Sequence, residues 1–247
     1  MSEMLVIRGA ALRYGDHVVL NGVELQLARG DLLGLVGPNG SGKTSLIRAI
    51  LGLRPLSAGR IEIDGIDVAS DPRGARALLG FAPDPALLPG YLTLRQALDV
   101  AAAAREQTVS DALLAFGDTL QLAPYWQRRI ETLSLGTRQK LAILIALLGD
   151  PPLLVLDEVL NGLDPIAGFE VKQELQRRCT SGTAVLLATH GLEMAPTLLT
   201  RAALLANGHI AKTWNADTIA LWRHEDPAAF ERAVVATLRQ LHDFRPA

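Results

Sequence analysis

Polar and apolar positions alternate early in the chain. Val23, Leu25 and Leu27 are interleaved with Glu24 and Gln26, and a period of two marks a strand with one buried face. The first 30 residues read as strands. An apolar run at 32–36 ends in glycine, and a helical stretch starts near Lys43. Ile61 and Ile63 flank Glu62 in a further short strand, closed by the turn pair Asp64 and Gly65. Residues 78–82 predict another strand.

After residue 84 the texture changes. Pro83, Pro85 and Pro89 force a loop, and residues 94–105, 111–116 and 136–148 predict helices. Strands return at 153–156, 184–188 and 202–205, with a helix at 165–178 between the first two. Strand and helix in alternation predict right-handed crossovers and a mostly parallel sheet, hence an α/β fold. The helices at 85–148 read as a block inserted into that sheet domain. The chain is then one unit over 1–247. Its core is about 1–84 and 149–215, and a helical tail covers 216–247, with a helix expected over 227–241. No internal repeat or long linker interrupts it.

Apolar residues make up 49% of the chain and mean hydropathy is +0.22, which raises the question of a membrane protein. No stretch approaches the ~18 uninterrupted apolar residues a spanning helix needs. The greasiest run, residues 141–148, is bounded by Lys140 and by Gly149 and Asp150, and predicts a buried core helix. Any membrane-spanning part then belongs to another chain. Residues 1–4 lack the basic flank of a secretory signal. The single cysteine, Cys179, suits the cytosol. A net charge of -2 argues against a nucleic-acid binder that relies on a bulk basic surface.

The clearest chemistry lies between the strand at 32–36 and the helix near Lys43. Gly37, Pro38, Asn39, Gly40, Ser41, Gly42, Lys43 and Thr44 fill the pattern G-x-x-x-x-G-K-[ST]. Glycines let the backbone wrap a phosphate without a Cβ clash. Successive N–H groups point inward, and the helix N-terminus adds positive potential. Lys43 is placed to reach β- and γ-phosphates, and the Thr44 hydroxyl to ligate Mg²⁺. Downstream, the apolar strand at 153–156 ends in Asp157 and Glu158. Ligands in open parallel sheets bind beyond the carboxyl ends of strands. Asp157 is therefore a candidate for holding Mg²⁺ through its water shell, and Glu158 for polarising an attacking water.

Together with what lies between them, these residues resemble the ATPase subunit of ABC (ATP-binding cassette) transporters, over about residues 4–215. The resemblance implies a P-loop NTPase core with an N-terminal antiparallel β layer and an inserted α-helical subdomain. Tyr14 matches the aromatic that stacks on adenine. Leu133, Ser134, Leu135, Gly136, Thr137, Arg138, Gln139 and Lys140 match the family signature, usually Leu-Ser-Gly-Gly-Gln. Ser134 and Gly136 are kept and are implied to touch the γ-phosphate of ATP held by the other subunit, whereas Leu135 and Thr137 depart. Asn161, Gly162, Leu163 and Asp164 match the loop that crosses the dimer interface, and Thr189 and His190 the switch histidine. His190 is implied to contact the γ-phosphate and help hold the water.

Asp84 departs most clearly, because the matching loop usually carries glutamine. Ionised Asp only accepts hydrogen bonds, where Gln also donates. Two roles stay open for it: facing Mg²⁺ or its water, or repelling the γ-phosphate and slowing turnover. The resemblance implies ATP and Mg²⁺ as cofactors and hydrolysis by Glu158, His190 and Lys43. It implies a second ATPase subunit, identical or not, and a transmembrane permease that holds the chain at the cytoplasmic face of the membrane. Residues 84–91 are the candidate contact with the permease. Export is the expected direction. Two rival readings remain: a soluble cassette protein that moves no solute, and a regulatory subunit that binds ATP and barely hydrolyses it.

Overall fold

The computed structural model describes residues 3–191, 195–226 and 228–243. Residues 1 and 2, and Pro227 at the expected start of the tail helix, lie outside them.

Strands β1 (Glu3–Tyr14) and β2 (His17–Ala28) pair antiparallel, and β3 (Leu32–Val36) leads into helix α1 (Lys43–Ile50). Strands β4 (Ala58–Ile63) and β5 (Ile66–Asp67) join the first pair in a four-stranded antiparallel sheet of order β2-β1-β4-β5. Next come α2 (Pro72–Ala77) and β6 (Leu79–Phe81). Helices α3 (Leu94–Ala104), α4 (Asp111–Thr119) and α5 (Leu135–Leu147) then precede β7 (Leu153–Asp157). The chain continues with α6 (Pro165–Thr180), β8 (Ala184–Thr189), α7 (Ala195–Leu198), β9 (Arg201–Ala206) and β10 (His209–Trp214). Helices α8 (Ala216–Glu225) and α9 (Ala229–Asp243) complete it.

The second sheet has six strands in the order β10-β9-β3-β8-β7-β6. All its pairings are parallel except β9 with β10. Its parallel strands are apolar at nearly every position because both faces are covered, as parallel sheets require. Successive side chains go to opposite faces. Leu32 and Val36, Leu154 and Leu156, and Val185 and Leu187 enter one core with Leu98, Leu113 and Leu144 of the helical layer. Leu33, Leu35, Val155 and Leu186 enter the other, closed by Ile7, Leu27 and Leu46. Each such leucine contributes about 2 kcal/mol by leaving water.

Helix α5 matches the expectation of a buried helix. Its side chains from Leu141 to Leu144 are all buried, as expected of a helix that is apolar around its circumference. It starts at Leu135 because Ser134 caps it, accepting from Thr137 N–H. No described helix is long and apolar enough to cross a membrane.

Strand β10 was not expected. It returns from β9 through Asn207 and Gly208, whose φ values are +49° and +78°. A two-residue hairpin of this kind needs positive φ at both central positions. The tail is two helices, and it packs on the core. Trp214, Ile219, Phe230 and Val234 join the helical-layer core. Phe230 meets Trp214 edge to face at 5.4 Å between ring centres, with Trp222 tilted against both.

The parallel register brings three strand ends level. Val36 lies opposite Thr189, and Asp157 opposite Ala188. Whatever follows β3, β7 and β8 in sequence therefore collects at one edge of the sheet.

Candidate functional site

The loop after β3 turns into α1 at Gly42, whose φ is +109°. A Cβ there would lie 2.8 Å from Leu20 and 3.1 Å from the Val19 carbonyl, so only glycine fits. Lys43 follows and is buried. Its Nζ donates to the Gly37 carbonyl at 2.7 Å and to the Pro38 carbonyl at 3.2 Å, which curls the side chain back over the loop. Burial holds the Lys43 ammonium below the ordinary lysine range, against the pull of Glu158 and Asp157.

Thr44 Oγ1 donates to Asp157 Oδ2 at 3.0 Å. This bond ties the first turn of α1 to the end of β7. Burial pushes the Asp157 carboxyl up, and neighbouring Glu158 adds to this, while the Thr44 hydroxyl opposes it.

Glu158 turns out of β7 with a φ of +53°. That region is uncommon for a residue with a Cβ. The Glu158 N–H is held by the Ala188 carbonyl at 3.0 Å, so β8 sets the turn. Its carboxylate is gripped at both oxygens. His190 Nδ1 lies 2.8 Å from Oε1, and the Asn161 amide donates to Oε2 at 3.0 Å.

A cavity of about 800 Å³ gathers Asn39, Gly40, Gly42, Lys43, Thr44, Asp157 and Glu158. Asp84 lines it too. The Asp84 carboxylate accepts from Ala86 N–H at 2.8 Å and caps the short turn at Pro85–Leu87. Tyr14 is not among the lining residues, although Ser45 and Arg48 are. A hydrogen bond from Ser45 draws the Tyr14 hydroxyl below its ordinary range, opposed by burial and helped by Arg48. The Arg54 guanidinium lies over the Tyr14 ring, 5.1 Å from its centre.

The remaining predicted residues stand apart. Ser134, Gly136 and Asp164 line a second cavity of about 600 Å³, together with Thr137, Lys140 and Gly162. The two cavities share no lining residue. Asp164 caps α6 by accepting from Ala167 N–H at 2.9 Å and pairs with Lys140 Nζ at 2.7 Å. The Ala167 N–H first, then Lys140, draw its carboxyl down. A Cβ on Gly136 would lie 2.8 Å from the Gly162 carbonyl, so glycine lets α5 and this loop touch.

The residues fit a magnesium nucleotide. Ser41 Oγ is buried in the phosphate loop without a hydrogen-bond partner, and a buried polar atom of that kind calls for a ligand. Thr44 and Asp157 present hard oxygens side by side. No group of three or more His, Cys, Asp or Glu forms an all-protein metal cage among the described residues. Mg²⁺ favours this arrangement, because it binds through one or two protein ligands plus phosphates and water.

Three residues named in the sequence motifs make contacts that the motifs do not state. Asn161 grips Glu158, Lys140 pairs with Asp164, and Gln139 lines the first cavity from α5. The spacing from Asp157 to Asp164 hints at the first. Nothing local announces the others, since their partners are distant in sequence.

The family model described as ABC transporter matches residues 20–161. The chain is 34% identical over 221 residues to the daunorubicin resistance ATP-binding protein DrrA3 of Streptomyces coeruleorubidus, covering 87% of this chain and 69% of that protein. It is 37% identical to the Nod factor export ATP-binding protein I of Rhizobium meliloti, covering 79% of this chain and 59% of that one. Among solved structures, an ATP-binding subunit of an ABC transporter superposes with a TM-score of 0.84 at 28% identity, over 94% of this chain and 99% of that one. A dimeric post-hydrolysis cassette bound to ADP and Pi shares the fold at 22% identity, with a TM-score of 0.76 over 86% of this chain and 99% of that one. The chain belongs to the ABC transporter family: it is an ATP-binding, ATP-hydrolysing subunit that powers transport by a separate membrane-spanning partner.

Proposed function

We infer that two copies of this chain close head to tail around two ATP molecules. Each site then joins the first cavity of one copy to the second cavity of the other. The observation that carries this is the separation within one chain of Lys43, Thr44, Asp157 and Glu158 from Ser134, Gly136 and Asp164. Neither cavity alone holds the full set of groups that phosphoryl transfer needs.

Lys43 leaves the Gly37 and Pro38 carbonyls and binds the β- and γ-phosphates, while the amides of residues 39–44 wrap them. Ser41 Oγ gains the partner it lacks. Thr44 and Asp157 would hold Mg²⁺, which would neutralise phosphate charge. Glu158 takes the proton of the attacking water. Asn161 and His190 fix the Glu158 carboxylate, and His190 also faces the γ-phosphate. Tyr14 stacks on adenine, backed by Arg54. Ser134 and Gly136 contact the γ-phosphate held by the partner copy, and Asp164 anchors the loop beside them.

We assign Asp84 to shaping its loop through the Ala86 cap, with its carboxylate turned toward the nucleotide cavity. The loop continues into the permease contact. Leu87 and Tyr91 are 79% and 74% exposed, an apolar surface suited to a helix of the membrane subunit. The chain sits on the cytoplasmic face through that contact. Export is the direction we assign, supported by the resistance and export proteins it resembles.

Phosphate release by the purified chain, with Mg²⁺ and beside Glu158→Gln, tests the catalytic assignment. The parent turns over and the variant loses about 10²-fold or more in kcat, the scale of a general base. Equal rates in the two would remove Glu158 from the role.

A further inference from the structure

Ser134 Oγ accepts from Thr137 N–H at 3.2 Å and lies 2.9 Å from Thr137 Oγ1. Both side chains line the second cavity. Family members usually carry glutamine at this position, which has no hydroxyl to offer. The Ser134 hydroxyl has one proton and two acceptor sites. The Thr137 N–H takes one acceptor site. If Ser134 spent its proton on Thr137 Oγ1, it would have none left for a phosphate. If Thr137 donates instead, both acceptor sites are filled and the Ser134 proton is free.

We propose that Thr137 is a positioning residue, whose hydroxyl donates to Ser134 Oγ and so directs the Ser134 proton to the terminal phosphate of the nucleotide held by a second copy of this chain. This rests on reading the second cavity as the half-site for the partner's nucleotide. An anion arriving there selects the donating polarity, because it accepts and cannot donate. The run from Thr137 hydroxyl to Ser134 hydroxyl to phosphate then strengthens each bond in turn. The N-terminus of α5 adds favourable potential at the same point. The departure from glutamine therefore serves the same half-site through a different side chain.

The test uses the full chain carrying Glu158→Gln, which holds ATP unhydrolysed. Light scattering gives the ATP concentration that converts half the monomer to dimer. A fluorescent ATP analogue at high dilution gives the affinity of the monomer's own phosphate loop. Thr137→Val removes the hydroxyl while keeping shape, N–H and similar helix propensity. It raises the half-conversion concentration about fivefold, and Ser134→Ala about tenfold, the scale of a hydrogen bond to a charged group. The double variant is no worse than Ser134→Ala, because the two residues act as one unit. Thr137→Ser restores the hydroxyl and the parental value. Monomer affinity stays unchanged in all of them.

A parental value for Thr137→Val beside a shifted Ser134→Ala overturns the proposal and leaves the half-site reading intact. Additive effects in the double variant also overturn it, since Thr137 would then act through a contact of its own. An unshifted Ser134→Ala, or no ATP-induced dimer at all, removes the half-site reading itself.

Discussion

His190 Nδ1 lies 2.8 Å from Glu158 Oε1, across the adjacent ends of β8 and β7. The imidazole thus reaches the first cavity through the carboxylate rather than by lining it. Asn161 holds the other oxygen. A carboxylate fixed at both ends stays pointed at one position, which is what taking a proton from a bound water demands.

His190→Ala removes one of the two grips on the Glu158 carboxylate. Its kcat falls about 10²-fold with KM for ATP little changed, since the loss lies in the transition state. Asn161→Ala only loosens the carboxylate, and kcat falls about tenfold. Steady-state phosphate release at saturating and limiting ATP checks both. A raised KM at unchanged kcat would place these groups in ground-state binding instead.

Asp157 presents a conflict between stability and function. Its folded pKa is raised by burial, so the folded chain takes up that proton at a higher pH than the unfolded chain. Asp157 therefore adds stability as pH falls below its raised folded value, and ionisation above it costs stability. Asp157→Asn removes that cost. The variant melts at a higher temperature than the parent at pH 7 without nucleotide and loses Mg²⁺-dependent turnover. Thermal denaturation and phosphate release on one preparation check the pair of effects.

Burial pushes the Cys179 thiol up to about 12, with Asp31 adding to the rise. Its folded pKa exceeds the unfolded value, so the stability it contributes is complete below the unfolded pKa. That contribution is lost as pH climbs through the folded one. The thiol resists alkylation at pH 8 in the folded chain and reacts once denaturant opens it, as mass spectrometry of iodoacetamide-treated samples reads. Labelling at the rate of a free thiol without denaturant would contradict the burial.

Phe230 carries the tail. It is fully buried between Trp214 and Trp222. Phe230→Ala costs about 3–5 kcal/mol, the usual loss for a buried aromatic. Urea denaturation followed by tryptophan fluorescence checks this, because two of the chain's three tryptophans flank the cavity the substitution leaves. An unchanged midpoint would mean that the tail is held elsewhere.

The sequence was most legible where local pattern and chemistry coincide. The apolar strands at 32–36 and 153–156, the phosphate loop and the helix starting near Lys43 all lie where period and glycine placement put them. Strand β10 was missed although Asn207 and Gly208 form a strong hairpin signal, because His209 and Lys212 break the apolar run that marks its neighbours. Helix α8 lies within the helical tail expected over 216–247, but its bounds are hard to read: Asn215 caps it by accepting from Thr218, and its apolar positions are few. Side-chain partnerships over long separations were the hardest to read. Thr44 to Asp157 follows from motif logic, whereas Lys140 to Asp164 depends on how α5 and the loop before α6 come to rest together. The double hold on Glu158 depends likewise on the register of β7 and β8.

In the proposed dimer, ATP joins two copies of the chain through cavities that a single copy keeps apart. Size-exclusion chromatography of the Glu158→Gln chain, with and without ATP, tests it most directly. The chain is expected to elute as a monomer without nucleotide, as a dimer that retains two nucleotides with ATP, and again as a monomer when Lys43 is also changed to Ala. A chain that binds ATP tightly and elutes as a monomer at every ATP concentration would contradict it.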